Sequence, residues 1–329
     1  MTSSSPPQLK LWHNHQHSWL ESDADTALTN ADRLPDTLVV EAIASQISVG
    51  TERLVTSGQL STDCVERMRI PYMLGSFDQS FTYGYSLVGK VLEGPAEFLG
   101  RRVHLLHPHQ RYAVVTSADA TVIPDALDSD TATLISNMET AVTAVWDAGP
   151  AVGDQIVIFG FGLIGTLVAQ LLRRIPGLDL TIVEPNSARA TLAHESGLKV
   201  QPTAGDLANA DLAFSTAAEG EALQQAIDCL RTEGTVVELS WHGSRRVSLN
   251  LGGSFHYDRK RLISSQVGRL PASQGHWDFK RRKQLVMQLL LECKTLPAVE
   301  QRIDFTDTPA FYAQLRKQRP VSRHIVIDY

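Results

Sequence analysis

The fold of this chain follows from one hexapeptide, Gly160-Phe161-Gly162-Leu163-Ile164-Gly165, and from the segments on either side of it. The apolar run Gln155–Phe159 before it predicts a buried strand, and Thr166–Leu172 after it predicts a helix. Residues Leu180–Val183 predict a second strand, which ends in the acid Glu184. Strand, glycines, helix, strand and acid in this order are the fingerprint of a dinucleotide-binding βαβ unit.

The three glycines of the hexapeptide have separate expected roles. Gly160 permits a tight turn, Gly162 lets the backbone approach a pyrophosphate, and Gly165 lets the helix pack against the strand. The N-terminus of that helix presents free N–H groups and partial positive charge to phosphates. We therefore predict that the whole hexapeptide binds a dinucleotide; the alternative is a structural glycine turn in an unrelated α/β unit.

The acid after the second predicted strand indicates which dinucleotide binds. The Glu184 carboxylate can accept hydrogen bonds from both ribose hydroxyls and would repel a 2′-phosphate, which favours NAD(H) over NADP(H). Arg189 leaves NADP(H) open as the alternative, because its guanidinium could reach such a phosphate.

Composition is that of an ordinary globular protein with room for two domains. The 329 residues are 43% hydrophobic and 20% charged, with a net charge of −6, which gives no indication of nucleic-acid binding. The sequence contains no apolar run long enough to span a membrane and no signal-peptide pattern at its start, so we expect a cytoplasmic protein that does not bind membranes. Cys64, Cys229 and Cys293 are far apart, so neither a disulfide framework nor a structural zinc lobe is expected.

The pattern of apolar residues changes along the chain. Short runs between Thr37 and about Ile123 predict a β-rich, barrel-like first domain. A helix over Thr131–Ala148 follows, and strands and helices then alternate to about Gly268, which predicts a doubly wound parallel sheet. Strand candidates are 155–160, 178–184, 199–203, 211–216, 234–240 and 261–267, and helix candidates are 163–174, 187–196 and 219–231.

The tail adds three further elements. We predict helices over 281–294 and around 308–318, and a last strand over Arg323–Asp328. The basic run Arg281-Arg282-Lys283 is interpreted as a solvated helix end.

This organisation resembles the medium-chain dehydrogenase/reductase superfamily, the group of the zinc alcohol dehydrogenases and quinone reductases. The resemblance covers nearly the whole chain and implies an α/β fold with a GroES-like catalytic domain over 1–128, a Rossmann domain over 129–270 and a return to the catalytic domain over 271–329. It also implies a nicotinamide cofactor in the cleft between the domains, a small-molecule substrate and a homodimer.

Within the superfamily, four segments point to particular branches. Ser48-Val49-Gly50-Thr51-Glu52-Arg53 resembles a segment of the bacteriochlorophyllide dehydrogenase branch and of threonine-dehydrogenase-like proteins. Three further segments resemble proteins often labelled zinc-binding dehydrogenases: Asn137–Ala141, Val237–Trp241 and Ser264–Gly268.

Zinc itself is not expected, because the matching positions lack its ligands. The resemblance places Ser48 where zinc members have a cysteine, Gly84-Tyr85-Ser86 where they have Gly-His-Glu, and Ile135-Ser136 near a cysteine or glutamate. A serine hydroxyl and a phenol replace thiolate, imidazole and carboxylate poorly. Zinc members also have a structural lobe with four cysteines, and the resemblance implies that this lobe is missing here, between His104 and Tyr112. We therefore predict neither catalytic nor structural zinc.

Two groups of histidines are the counter-argument, since either set could bind a metal adventitiously. They are interpreted instead as exposed strand or loop residues: His13, His15 and His17, and His104, His107 and His109.

Without zinc, another group must manage charge on a substrate oxygen. Tyr85 is the first candidate, as a phenol at a lost ligand position, beside Ser48 at another lost ligand position and Thr51 as a polar relay. Glu139 is a candidate base or nicotinamide contact. The alternatives are structural roles. Tyr85 would be an aromatic that fills space, and Thr51 would be a hydroxyl bonded within a turn. Glu52 would pair with Arg53 or neighbours, and Glu139 would stabilise a helix N-terminus.

The resemblance also implies further cofactor contacts. Leu239-Ser240 and Gln266-Val267 match segments that bring backbone groups to the nicotinamide amide. Arg323 matches an arginine that reaches the pyrophosphate, with a surface ion pair as the alternative.

These expectations describe an NAD(H)-dependent, zinc-independent oxidoreductase that transfers hydride between nicotinamide and a carbonyl, alcohol or activated double bond. By analogy with the bacteriochlorophyllide dehydrogenase branch, the substrate would be bulky. Two alternatives stay open: a zinc alcohol dehydrogenase with atypical ligands, and a non-catalytic NAD(H)-binding redox sensor or scaffold.

Overall fold

The computed structural model describes residues 8–23, 35–293 and 295–329, which form two compact units. The first unit comprises the chain up to Ser136 together with Ala298–Tyr329, and the second comprises Asn137–Pro297. The chain thus changes unit at 136/137 and 297/298, whereas the sequence places its domain boundaries at 128/129 and 270/271.

The first unit is built mainly from strands, as predicted. In chain order its strands are β1 (Gln8–His13), β2 (Ser18–Asp23), β3 (Thr37–Gln46), β4 (Phe81–Thr82), β5 (Leu87–Glu93), β6 (Arg102–Leu105), β7 (Tyr112–Thr116), β8 (Thr121–Val122), β15 (Gln301–Asp304) and β16 (Ile325–Asp328). The larger sheet has the order β15-β16-β3-β5-β6-β8, with β7 also pairing with β3, and a smaller sheet has the order β2-β1-β4. Three α-helices that lie wholly in this unit accompany these sheets among the described residues: α1 (Val49–Thr56), α2 (Ser129–Ala132) and α9 (Thr308–Lys317).

The second unit is a parallel sheet with helices between its strands. Its strands are β9 (Gln155–Phe159), β10 (Asp179–Val183), β11 (Lys199–Gln201), β12 (Ala210–Ser215), β13 (Leu230–Glu238) and β14 (Arg261–Ser264). Its helices are α3 (Ile135–Ala148, which starts in the first unit), α4 (Leu163–Leu172), α5 (Ser187–Glu195), α6 (Gly220–Asp228), α7 (Ser254–Tyr257) and α8 (Phe279–Glu292). The strand order β11-β10-β9-β12-β13-β14 confirms the predicted doubly wound Rossmann sheet.

The central strand of this sheet, β9, is the apolar run that the sequence predicts as a buried strand. Residues 156–159 of β9 are all buried, as expected for a strand with neighbours on both edges and helices on both faces. Successive strands are added on one side of β9 up to β11 and on the other from β12 onward, so the order reverses beside β9. Ligands of such sheets bind at the carboxyl ends of the strands at this reversal.

The structure corrects two sequence-based interpretations in the first unit. His13, His104, His107 and His109 are buried rather than exposed. Burial is the main cause that holds the pKa of His13 well below its usual value and lowers that of His107 to about 4. His15 and His17 are exposed, in the turn between β1 and β2.

The last strand is the second correction, since it begins at Ile325 rather than Arg323. Among the described residues, no helix combines the length and the apolar character needed to cross a membrane.

Candidate cofactor and substrate site

The glycine loop joins β9 to α4 at the reversal of strand order. Gly160 has a φ of +98°, in the left-handed region that favours glycine, and a Cβ on Gly165 would lie 2.1 Å from the Gly160 carbonyl oxygen. Both glycines are therefore required by the protein's own packing. Gly162 differs, because a Cβ there would meet no heavy atom of the described residues within 4 Å. Its backbone thus presents a cradle that a side chain would fill, which fits a bound pyrophosphate.

Glu184 lies at the end of β10 and binds the glycine loop directly. Its Oε2 accepts a hydrogen bond from the Phe161 N–H at 2.7 Å, and its Oε1 accepts one from the Asn186 N–H at 2.9 Å. A carboxylate has about four acceptor positions, so this geometry is compatible with additional hydrogen bonds from ribose hydroxyls. Arg189 lies in the first turn of α5, where its N–H donates to the Asn186 side chain at 3.1 Å.

The two segments predicted to contact the nicotinamide lie just beyond neighbouring strands. Leu239 and Ser240 follow β13, and Gln266 and Val267 follow β14, which pairs with β13 in parallel. The Leu239 N–H donates to the Ser215 carbonyl oxygen at 3.0 Å. The parallel sheet therefore places these segments and the glycine loop at the same side, at the carboxyl ends of its strands.

A buried ion pair beside these segments was missed by the sequence analysis. Arg282 Nε and Nη2 each lie 3.2 Å from Glu139 Oε1, and Lys283 Nζ lies 3.8 Å from Glu139 Oε2. Arg282 Nη1 also donates to the Val267 carbonyl oxygen at 2.8 Å and to Thr143 Oγ1 at 2.9 Å. The interpretation of Arg281-Arg282-Lys283 as a solvated helix end is wrong for Arg282, whose side chain is 4% exposed.

Glu139 accordingly has partners that neither predicted role included. The Glu139 carboxylate links α3 to α8 through its ion pair with Arg282. The same guanidinium also donates a hydrogen bond to the Val267 carbonyl oxygen. In the sequence, the basic residues of the tail are the possible partners of Glu139, and no local pattern indicates which of them contacts it.

Three predicted catalytic residues come together in the first unit. The Tyr85 hydroxyl donates to Thr51 Oγ1 at 3.4 Å and is also hydrogen-bonded to the Ser48 side chain. Burial raises the pKa of Tyr85 to about 12, although both hydrogen bonds act in the opposite direction. The phenol is therefore neutral near pH 7 and retains a proton that it can donate.

Two further positions that the resemblance assigns to zinc ligands, Ser86 and Ser136, hold hydroxyls bonded to a histidine. Ser86 Oγ and Ser136 Oγ lie 3.1 and 3.2 Å from His104 Nε2, and the Ser136 hydroxyl also donates to the Tyr85 carbonyl oxygen at 2.8 Å. The described residues contain no group of three or more His, Cys, Asp or Glu side chains that could hold a metal ion. Hydroxyls bonded to a single imidazole do not supply the thiolate, imidazole and carboxylate set that zinc prefers.

Glu52 is a second buried acid, which the sequence analysis considered only as a partner of Arg53 or of neighbouring residues. Its Oε1 accepts the Ser48 N–H at 2.7 Å, and its Oε2 lies 3.2 Å from His109 Nε2 and accepts a hydrogen bond from the Tyr312 hydroxyl. The suggested pairing with Arg53 is not observed, since Arg53 Nε donates to the Leu315 carbonyl oxygen at 3.1 Å. Glu52 thus anchors the backbone of Ser48, next to the Tyr85 cluster.

Arg323 lies in the first unit, before β16, where it forms an ion pair with Glu300. Its Nε donates to Glu300 Oε1 at 2.7 Å, and its backbone N–H donates to the other carboxylate oxygen at 2.6 Å. The side chain is 7% exposed, so the pair is mostly buried rather than on the surface.

Comparison with known proteins places this geometry in context. The chain is 26% identical over 197 residues to a D-guloside 3-dehydrogenase of Escherichia coli K12, a match that covers 55% of this chain and 56% of the relative. The chain therefore matches only about half the length of that relative. No family model matches the chain.

Solved structures resemble it over almost its whole length. A protein of Sinorhizobium meliloti described as a zinc-binding dehydrogenase, solved with NADP, has a TM-score of 0.76 at 17% identity and covers 99% of this chain and 100% of its own. An acetophenone reductase of Geotrichum candidum, solved with NAD, has a TM-score of 0.76 at 14% identity and covers 99% of both chains. The predicted resemblance to zinc-type alcohol dehydrogenase-like proteins is thereby confirmed for the fold, and the curated relative is named as a dehydrogenase.

Proposed function

We propose that this chain is an NAD(H)-dependent, zinc-independent oxidoreductase that transfers hydride between nicotinamide and a carbonyl or alcohol. One observation carries the proposal: the glycine loop lies at the reversal of strand order, with the open cradle at Gly162 and the Glu184 carboxylate on Phe161. This combination is what a dinucleotide requires of a Rossmann sheet. The NAD- and NADP-bound structures of similar fold support a nicotinamide cofactor.

The bound nicotinamide supplies or accepts the hydride, and the chain's own residues manage the substrate oxygen. In this proposal the neutral Tyr85 phenol donates a hydrogen bond to that oxygen and stabilises negative charge that develops on it. The Ser48 and Thr51 hydroxyls orient the phenol, and Glu52 fixes the backbone of Ser48. In this arrangement hydroxyl groups take over the polarising task that zinc performs in other enzymes.

The first test is Tyr85→Phe. With NADH and a panel of aldehydes and ketones, we expect kcat to fall about 100-fold, the loss typical when one donor to an oxyanion is removed. The dissociation constant of NADH, measured by fluorescence, should not change. Tyr83→Phe is the matched control, because it removes a neighbouring buried hydroxyl that donates to the Met68 carbonyl oxygen.

Metal analysis of the same preparations separates the alternatives. Substoichiometric zinc and activity that survives chelators support the proposal. One zinc per chain, whose removal abolishes activity, would overturn it in favour of a zinc enzyme with atypical ligands. Tight NADH binding without cofactor oxidation across the panel would favour a non-catalytic sensor or scaffold.

We further propose that NAD(H) is preferred over NADP(H), because Glu184 would repel a 2′-phosphate. In Glu184→Gln the charge is lost while an amide oxygen remains to accept hydrogen bonds. We expect the ratio of NADPH to NADH dissociation constants to fall about tenfold, since like-charge repulsion is a principal means of rejecting a competing ligand. Glu195→Gln, on the exposed end of α5, should leave the ratio unchanged. An unchanged ratio in Glu184→Gln would show that this carboxylate does not select the cofactor.

The remaining parts of the proposal rest on the sequence-based expectations. They are a small-molecule substrate of bulky shape and a homodimer in the cytoplasm. Light scattering coupled to size-exclusion chromatography tests the dimer.

A further inference from the structure

The loop between β12 and α6 lies directly against the glycine loop. Its first residue, Thr216, donates its backbone N–H to the Phe159 carbonyl oxygen at 2.9 Å, which continues the parallel pairing of β12 with β9. The Thr216 hydroxyl lies 2.9 Å from that same oxygen and 3.1 Å from the Gly160 carbonyl oxygen, so its single proton can be donated to either. A side chain that follows the neighbouring strand thus contacts the first residue of the glycine loop.

Two glycines of the hexapeptide leave the space that this hydroxyl occupies. A Cβ on Gly160 or on Gly165 would in each case lie 2.9 Å from Thr216 Oγ1, closer than Cβ atoms approach other atoms in folded proteins. At Gly162 a Cβ would meet no atom of the described residues within 4 Å. The missing side chains at 160 and 165 therefore accommodate a contact inside the protein, and Thr216 makes that contact.

Two residues further on, this loop adopts a conformation that its residue type disfavours. Ala218 has a φ of +57°, in the left-handed region that is unfavourable for a residue with a Cβ. Its N–H donates to Ser240 Oγ at 2.9 Å, and its carbonyl oxygen accepts a hydrogen bond from Arg245 Nη2 at 2.9 Å. A strained residue persists only where its surroundings hold it. We call Ser240 and Arg245, which both follow β13, the Ala218 clamp.

The two side chains of the clamp differ in how they are held. The Ser240 hydroxyl lies 3.3 Å from the Ser215 carbonyl oxygen at the end of β12. Arg245 Nε lies 3.4 Å from the His242 carbonyl oxygen, and its Nη1 lies 4.0 Å from Glu219 Oε2 in a largely exposed pair. The Arg245 side chain is 41% exposed, so its removal disturbs the packing of the sheet least.

We propose that Thr216 is a positioning residue of the glycine loop and that the Ala218 clamp holds it in place, so that NADH affinity depends on the Thr216 hydroxyl and on Arg245. This inference rests on the proposed function, in which the glycine loop binds the dinucleotide. The strand order reverses between β9 and β12, so the loops after these strands border the crevice in which ligands of such sheets bind. A loop that is fixed before the ligand arrives loses less conformational entropy on binding, which raises the affinity.

The first experiment measures NADH binding to the full chain by fluorescence titration. Thr216→Val keeps the shape of the side chain and removes the hydroxyl. We expect the NADH dissociation constant to rise about tenfold, the effect of losing one buried hydrogen bond, with the number of binding sites per chain unchanged. Thr216→Ser retains the hydroxyl and should bind NADH as the wild type does. A partly unfolded variant would show the opposite, with fewer sites and an unchanged dissociation constant.

The second experiment tests the clamp by loss and rescue. Arg245→Met should raise the NADH dissociation constant about fivefold, because the binding-competent loop is then populated less. Arg246→Met removes an exposed neighbouring charge and should leave the constant unchanged. Adding Ala218→Gly to Arg245→Met should restore part of the affinity, since glycine adopts a positive φ without help. This rescue separates the clamp from a general effect of lost charge.

Hydrogen exchange of the cofactor-free chain measures the loop itself. The Gly160 N–H donates to the Val183 carbonyl oxygen and the Phe161 N–H donates to Glu184, so both amides should be protected in the wild type. Mass spectrometry of peptides that cover 159–166 should show faster exchange in Thr216→Val. Peptides from α5 should exchange as in the wild type.

The outcomes are distinguishable. If the wild-type chain binds neither NADH nor NADPH, the proposed function fails and this inference fails with it. If the wild type binds NADH and Thr216→Val binds it equally tightly, or the loop exchanges at the wild-type rate in that variant, this inference alone is overturned. Equal affinities in Arg245→Met and Arg246→Met would overturn the role of the clamp. Thermal unfolding of each variant verifies that it is folded.

Discussion

Gly162→Ala is expected to lose NADH binding by about 100-fold or more while the protein folds as before, because a methyl group would occupy the position of closest approach to the pyrophosphate. Its φ of −70° and ψ of −172° are accessible to alanine, and the new Cβ would meet no described protein atom within 4 Å. Fluorescence titration with NADH and thermal unfolding by circular dichroism measure the two properties separately.

Gly165→Ala is the informative comparison. There the new Cβ would lie 2.1 Å from the Gly160 carbonyl oxygen, so the start of α4 must move away from β9. This variant should lose both cofactor binding and thermal stability. If Gly162→Ala binds NADH as the wild type does, the glycine loop is not the pyrophosphate site and the proposed function loses its main support.

Arg282→Met is expected to lower the free energy of unfolding by about 3 kcal/mol, a typical cost of removing one partner of a buried ion pair. The substitution leaves the Glu139 carboxylate buried with Lys283 alone, at 3.8 Å, and removes the donor to the Val267 carbonyl. Urea denaturation followed by circular dichroism measures the change. Arg281→Met is the matched control, because this neighbour is exposed and lies over the Trp277 ring; we expect a change of at most about 1 kcal/mol.

A double variant tests the physical reason for that loss. Adding Glu139→Gln to Arg282→Met removes the uncompensated charge, so part of the lost stability should return and the two substitutions should not be additive. Equal losses in Arg282→Met and Arg281→Met would contradict the buried ion pair.

Local patterns were sufficient for the βαβ unit that carries the glycine loop. The residues of β9 form an unbroken apolar run, and the glycines, the helix and Glu184 follow within one supersecondary unit, so each prediction depended on neighbours in the chain. The predicted strand at 155–160 and helix at 163–174 differ from β9 and α4 by at most two residues at their ends. Glu184 also contacts the glycine loop, because its carboxylate accepts the Phe161 N–H.

Side-chain environments were less accessible to sequence analysis. The spacing of His104, His107 and His109 is compatible with an exposed segment, yet packing buries all three. The polar partners of His104 and His109 come from distant segments: Ser86 Oγ lies 3.1 Å from His104 Nε2, and Ser45 Oγ lies 2.7 Å from His109 Nδ1. Burial of a polar residue depends on such partners, which hydrophobic periodicity does not encode.

The sequence by itself determined the βαβ unit and its glycine loop, since the turn, the strand and the helix are governed by interactions within about 30 residues. It also gave the residue types at the positions that the resemblance assigns to zinc ligands. Only the tertiary structure decided which charges are buried together. Glu139 meets Arg282 across 143 residues of chain and Glu52 meets His109 across 57, and contacts of that range are set by the packing of whole elements. Each of these carboxylates can be buried because a side chain from another element donates a hydrogen bond to it, Arg282 to Glu139 and Tyr312 to Glu52.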